Sequence, residues 1–156
     1  MLVLEKTPGP DSWQSICYQI LMMRLQKSAC QKSIFRYRMR IICFIEIIIV
    51  IAAPYWDLSF PAVLKQYLEQ VSVVDITFTY TPEGIPKGLC KAKRLYYVTT
   101  AGGDYAPDEY GFGYVESLCK SLYGIQDVKL IKAVGLDIVG ADVENILAES
   151  KKEIDL

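Results

Sequence analysis

The chain has 156 residues, enough for one domain with a real core. A formal net charge of −1 argues against a nucleic-acid binder. The absence of histidine excludes Ser–His and Cys–His catalysis and argues against a zinc site. Five cysteines (Cys17, Cys30, Cys43, Cys90, Cys119) are odd in number and widely spaced, with no C-x-x-C pair. They read as free thiols of a reducing cytoplasm, most of them buried as small hydrophobes. No signal peptide is evident, and the longest apolar run, 41–53, is too short for a membrane span and contains Glu46. Charge is uneven: residues 1–46 carry seven Lys/Arg against three Asp/Glu, the remainder ten against fifteen. The basic third reads as a solvated helix face in preference to a site for an anionic partner.

In chain order, Met1–Glu5 reads as a short strand and Lys6–Asp11 as a turn with Pro8, Gly9 and Pro10. Ser12 is placed to cap a helix with Trp13, Ile16, Cys17, Ile20 and Leu21 at helical spacing. A strand–loop–helix of this kind can hold a phosphate on backbone N–H groups. Here two prolines remove donors and Asp11 repels a dianion, so the loop is poor for that task. Residues 24–46 are the least orderly part, basic until Glu46.

The organising stretch is Ile47–Pro61, IIIVIAAPYWDLSFP. The β-branched run Ile47–Ile51 predicts a strand covered on both faces. Ala52 and Ala53 leave room at its carboxyl end, and Pro54 ends the ladder. Ser59 is positioned to cap a helix opened by Pro61 and running to about Val73, with Val63, Leu64, Tyr67, Leu68 and Val71 on one face. The loop between them, Tyr55, Trp56, Asp57 and Leu58, lies where open α/β sheets bind ligands. The same residues would serve equally as an aromatic plug over the sheet edge.

Ile76–Tyr80 alternates and reads as a half-exposed strand, and Thr81–Leu89 as a turn-rich excursion or surface hairpin. Arg94–Thr100 is the next buried strand, ending in Ala101-Gly102-Gly103, where paired glycines either admit a flat ligand or make a plain turn. A helix is expected from Pro107 or Asp108 to Leu122, weakened early by Gly111 and Gly113 and closed by Tyr123-Gly124. Gly111-Phe112-Gly113 lacks a third glycine and does not follow a strand, so it is no dinucleotide fingerprint. The last strand falls within Val128–Ile138. Asp142 caps a terminal helix whose Val143, Ile146, Leu147 and Ile154 face inward.

Three blocks together resemble one family. Ala53–Pro61 followed by Leu64-Lys65, then Ile76–Thr81 with Gly84, Gly88 and Leu89, then Val98–Gly103 are similar to segments of the flavodoxin-like, FMN-dependent NAD(P)H:quinone oxidoreductases and NADH azoreductases. The resemblance covers about residues 47–156. It implies an α/β fold, a flavodoxin-like three-layer sandwich with a mostly parallel sheet, in a single domain over 1–156. It implies FMN as cofactor, NAD(P)H as co-substrate, a quinone or azo compound as acceptor, and a homodimer in which 81–89 helps cover the partner's flavin. Carried onto this sequence, the cofactor-binding residues are Tyr55, Trp56, Asp57, Leu58, Thr99, Thr100, Ala101, Gly102, Gly103 and Tyr105. No residue is required as a catalytic acid, since Tyr105 or solvent supplies a proton, and no metal is expected. Residues 1–46 depart from the family pattern, being too few for two strands, a phosphate loop and two helices. The alternative is therefore a flavodoxin-like remnant without FMN, acting as an interaction or structural protein.

Overall fold

The computed structural model describes residues 48–154. The expected strand at Met1–Glu5, the Ser12 helix and the phosphate loop lie outside the described residues.

Among the described residues the main sheet has three parallel strands in the order β1–β4–β5: β1 (Ile48–Ala52), β4 (Arg94–Thr100) and β5 (Asp127–Ala133). The β4 strand takes the bounds its sequence predicts, RLYYVTT, and Leu95–Thr100 are buried. Its alternation sends Leu95 and Tyr97 to one face and Tyr96 and Val98 to the other. The first face packs on Leu64 and Leu68 of α1 (Ala62–Val71) and on Val115 of α2 (Phe112–Leu118). The second packs with Ile131 of β5 and with Ile154, which follows α3 (Val143–Lys152). Helices on both faces of a parallel sheet give the three-layer architecture expected of strands alternating with helices.

Local chemistry explains where the elements stop. Asp142 caps α3 by accepting from the backbone N–H of Asn145 at 3.0 Å, as its position predicts. Ser59 does not cap α1: Pro61 occupies the N-cap, and the Ser59 hydroxyl donates to the Tyr110 carbonyl at 2.7 Å. The strand expected from Ile76 begins only at Phe78. Asp75 sits at φ 62°, and the Thr77 hydroxyl is taken by Val71 and Val73 backbone groups, so the chain is still turning there. The hairpin of β2 (Phe78–Tyr80) and β3 (Pro86–Gly88) then forms the excursion. The helix expected from Pro107 begins at Phe112 and runs on through a π-helical turn, Cys119–Tyr123, to Gly124 at φ 81°.

Among the described residues Cys119 is buried, Cys90 is half-buried, and neither is in a disulfide. No helix there is long and apolar enough to cross a membrane.

Candidate functional site

The carboxyl ends of β1, β4 and β5 open into three loops, and backbone hydrogen bonds tie them together. The Tyr55 N–H donates to the Thr100 carbonyl at 2.9 Å, joining the first loop to the second. Gly135 N–H donates to Gly103 O at 2.9 Å, and Asp137 N–H to Gly102 O at 2.9 Å, joining the third loop to the second. Ser59 closes the ring through Tyr110. The sequence therefore delivers Tyr55, Trp56, Asp57, Leu58, Thr99, Thr100, Ala101, Gly102, Gly103 and Tyr105 to one end of one sheet.

Their environments differ. Thr99, Thr100 and Ala101 are buried at the end of β4. Trp56–Ser59 form a two-residue hairpin turn, with Trp56 and Ser59 bonded in both directions at 3.1 and 2.8 Å. Asp57 (φ 49°) and Leu58 (φ 67°) at its tip both lie in the left-handed region, which costs an L-residue about 1–2 kcal/mol. Non-glycine strain of this kind persists where the surroundings impose it, and it gathers at ligand clamps. The turn holds Trp56 and Leu58 about half exposed, and Tyr105 is 77% exposed on the opposite loop.

Two buried hydroxyls here have no hydrogen-bond partner: Tyr55 Oη and Thr99 Oγ1. Buried polar groups are nearly always paired, so two orphans at one strand end mark a place built for something polar. Burial pushes the Tyr55 phenol above its ordinary value, and Tyr105, Glu109 and Asp108 add to the effect. Among the described residues the backbone N–H groups of Asp57, Leu58, Gly102 and Gly103 also make no hydrogen bond.

The glycine pair divides its work. A Cβ at Gly103 would meet nothing within 4 Å, so this glycine borders open space. A Cβ at Gly102 would lie 2.0 Å from Asp137 Oδ2, so this one makes room for Asp137. The residues alone leave open a flat ligand or a plain turn at these glycines, the resemblance assigns both to the cofactor, and Asp137, 35 positions away, gives no local signal. Beside the strand ends, an open groove of about 450 Å³ runs between α1 and the Tyr110–Tyr114 segment, with Lys65 bonded to Tyr114 Oη at 2.9 Å.

A parallel sheet with helices on both faces, its strand carboxyl ends opening into loops bonded to one another, defines the open-sheet α/β class. The comparisons narrow the class. The family model described as flavodoxin-like fold matches residues 47–156, and the chain belongs to that family. An FMN-dependent NADH:quinone oxidoreductase from Lachnoclostridium phytofermentans is 44% identical over 109 residues, covering 69% of this chain and 54% of that protein. FMN-dependent NADH:quinone oxidoreductase 2 from Clostridium acetobutylicum is 46% identical over 103 residues, covering 63% and 50%. The chain thus spans about half the length of the curated relatives it matches. Among solved structures, an FMN-dependent NADH-azoreductase from Bacillus anthracis in complex with FMN superposes with a TM-score of 0.62 at 28% identity, covering 75% of this chain and 58% of that one. A second B. anthracis azoreductase gives 0.64 at 26%, covering 76% and 58%.

Proposed function

We propose that the chain holds FMN at the carboxyl ends of β1 and β4 and serves as an oxidoreductase passing reducing equivalents from NAD(P)H to a quinone or azo compound. The observation that carries this reading is the pair of orphaned buried hydroxyls, Tyr55 Oη and Thr99 Oγ1, on the loop after β1 and at the end of β4, the strand whose following loop carries the open face of Gly103. The residues present fit the group: a flat heteroaromatic ring edged with carbonyls and nitrogens needs donors and a surface free of Cβ atoms. The names of the relatives, FMN-dependent NADH:quinone oxidoreductases, and the FMN complex of the azoreductase support it.

Bound FMN would supply the redox chemistry, taking a hydride from the reduced nicotinamide and giving two electrons to the acceptor. The protein's part is placement. Tyr55 and Thr99 would offer their unpartnered hydroxyls. Asp57, Leu58, Gly102 and Gly103 would offer backbone N–H groups, with Thr100 and Ala101 fixing the strand end behind them. Trp56 and Leu58 would keep water from one side, and Tyr105 would stand at the rim as one source of a proton, solvent being the other. Because one pocket would serve donor and acceptor in turn, ping-pong kinetics are expected. A homodimer completes the reading: exposed Val73, Val74, Tyr80 and Ile85 on and beside the β2–β3 hairpin form an apolar surface suited to a second copy, which equilibrium sedimentation would detect. Cys90 and Cys119, neither of them in a disulfide, suit a reducing cytoplasm.

The test is anaerobic. FMN-loaded protein given NADH should lose its visible flavin band and regain it on adding a quinone. A protein that takes up no FMN would instead support a non-catalytic flavodoxin-like chain.

A further inference from the structure

We propose that Lys132 is a positioning residue of this pocket: its ammonium latches the Ala106–Asp108 stretch of the β4–α2 loop down onto the carboxyl end of β5, beside Thr99. The inference rests on the flavin reading for its consequence and on geometry alone for the latch.

Parallel register pairs Lys132 with Thr99, so both side chains rise from the face that carries α1 and α2. A lysine between buried Ile131 and Ala133 near a strand's carboxyl end would ordinarily extend into solvent. This one turns back. Its Nζ lies 2.6 Å from Asp108 Oδ1 and 3.1 Å from the Ala106 carbonyl, and its side chain is only 30% exposed. Among the described residues, these two bonds are the hydrogen bonds joining 104–109 to the sheet. On either side, the loop is fixed by Gly135 to Gly103 and by Ser59 to Tyr110. The anchor is itself held: the Ser150 hydroxyl of α3 donates to the Lys132 carbonyl at 3.1 Å, pinning β5 from the opposite layer at this residue.

The loop so fastened carries Tyr105, and with it Asp108 and Glu109, whose charges add to the upward push on the Tyr55 phenol. An ammonium satisfying both a carboxylate and a carbonyl makes charge-assisted bonds, stronger than neutral ones. Lys132 thereby fixes the loop that carries Tyr105 without itself being assigned to the ligand.

The experiment compares wild type, Lys132→Met, Lys132→Arg and Asp108→Asn in two readouts. Amide hydrogen exchange is followed over 104–109 in the FMN-free protein, and FMN is titrated by quenching of its fluorescence. Lys132→Met should speed exchange in 104–109 while exchange in β4 stays as in wild type. It should weaken FMN binding about tenfold, the scale of one lost charged hydrogen bond. Lys132→Arg, which keeps the charge and the donors, should restore most of both, and Asp108→Asn should fall between because the Ala106 bond remains. Unchanged exchange in Lys132→Met overturns the latch. Faster exchange with unchanged FMN affinity overturns its role in the pocket. If the wild type takes up no FMN, the flavin reading fails, and exchange alone decides whether the latch exists.

Discussion

At the amino ends of β4 and β5 the backbones touch and the side-chain hydroxyls of Ser72 and Tyr123 are bonded to each other; at the carboxyl ends the loops are also tied together, but two buried hydroxyls go unpaired. A Cβ at Gly88 would sit 2.2 Å from the Tyr123 carbonyl carbon and oxygen and 2.3 Å from Gly124 N. Around that contact Ser72 Oγ bonds both the Leu68 carbonyl and Tyr123 Oη at 2.7 Å, and Cys119 is buried alongside. At the other end Asp57 and Leu58 stand in left-handed backbone and Gly103 faces open space. The first region spends its sequence on packing density. The second tolerates strain and unpaired groups, which natural sequences keep mainly where a ligand repays them.

The largest effect that separates the two ends is expected at Gly88. Gly88→Val drives a side chain into backbone that cannot swing aside and should cost about 3 kcal/mol or more in urea unfolding. FMN binding by the fraction still folded should be unchanged. A stable Gly88→Val would mean the amino end is looser than its contacts indicate.

Next in size is a pH effect at the same end. Burial, with smaller contributions from Cys90 and Glu116, pushes the Cys119 thiol from 9.0 up to about 12. Below pH 9 the thiol is neutral folded and unfolded, and its contribution is fully present. Between 9 and about 12 the unfolded chain releases the proton and the folded chain retains it, so stability falls as pH rises, by about 1.4 kcal/mol per unit. Urea titrations at pH 8 and pH 10 should show this loss in wild type and not in Cys119→Val. Equal losses would remove Cys119 as the cause.

Smaller again is relief of strain at the carboxyl end. Leu58→Gly removes the left-handed penalty but loosens the unfolded chain by about 0.4–1 kcal/mol. A net gain of about 0.5–1 kcal/mol should raise the thermal midpoint. Destabilisation would show that Leu58 packs more than its exposure indicates. The smallest effect on stability belongs to Gly103→Val, within about 0.5 kcal/mol for an open surface position. The same change should sharply weaken FMN binding, the inverse of Gly88→Val.

Much of the fold was legible because it rests on local chemistry. The β-branched run before Ala52, the bounds of Arg94–Thr100 and the Asp142 cap each follow from a few neighbouring residues. The candidate site was legible as two loops at strand ends, and the structure brings them together. What escaped was long-range. Ser59 has the right spacing for a cap, yet its hydroxyl is claimed by Tyr110, 51 residues on. Gly102 makes room for Asp137 only because β5 lies beside β4. Nothing in the types of Asp57 and Leu58 announces positive φ, since turns of that hand favour Asn and Gly. Lys132 shows no local mark either: in VKLIKAV it reads as a solvated lysine on a strand.

The central claim is that the carboxyl ends of β1 and β4 form a flavin pocket. It is tested most directly by titrating the purified, flavin-free chain with FMN and following flavin fluorescence and the visible band. The account predicts saturable quenching near one FMN per chain, with affinity lost in Gly103→Val and kept in folded Gly88→Val. No quenching in wild type, or equal binding in Gly103→Val, would contradict it.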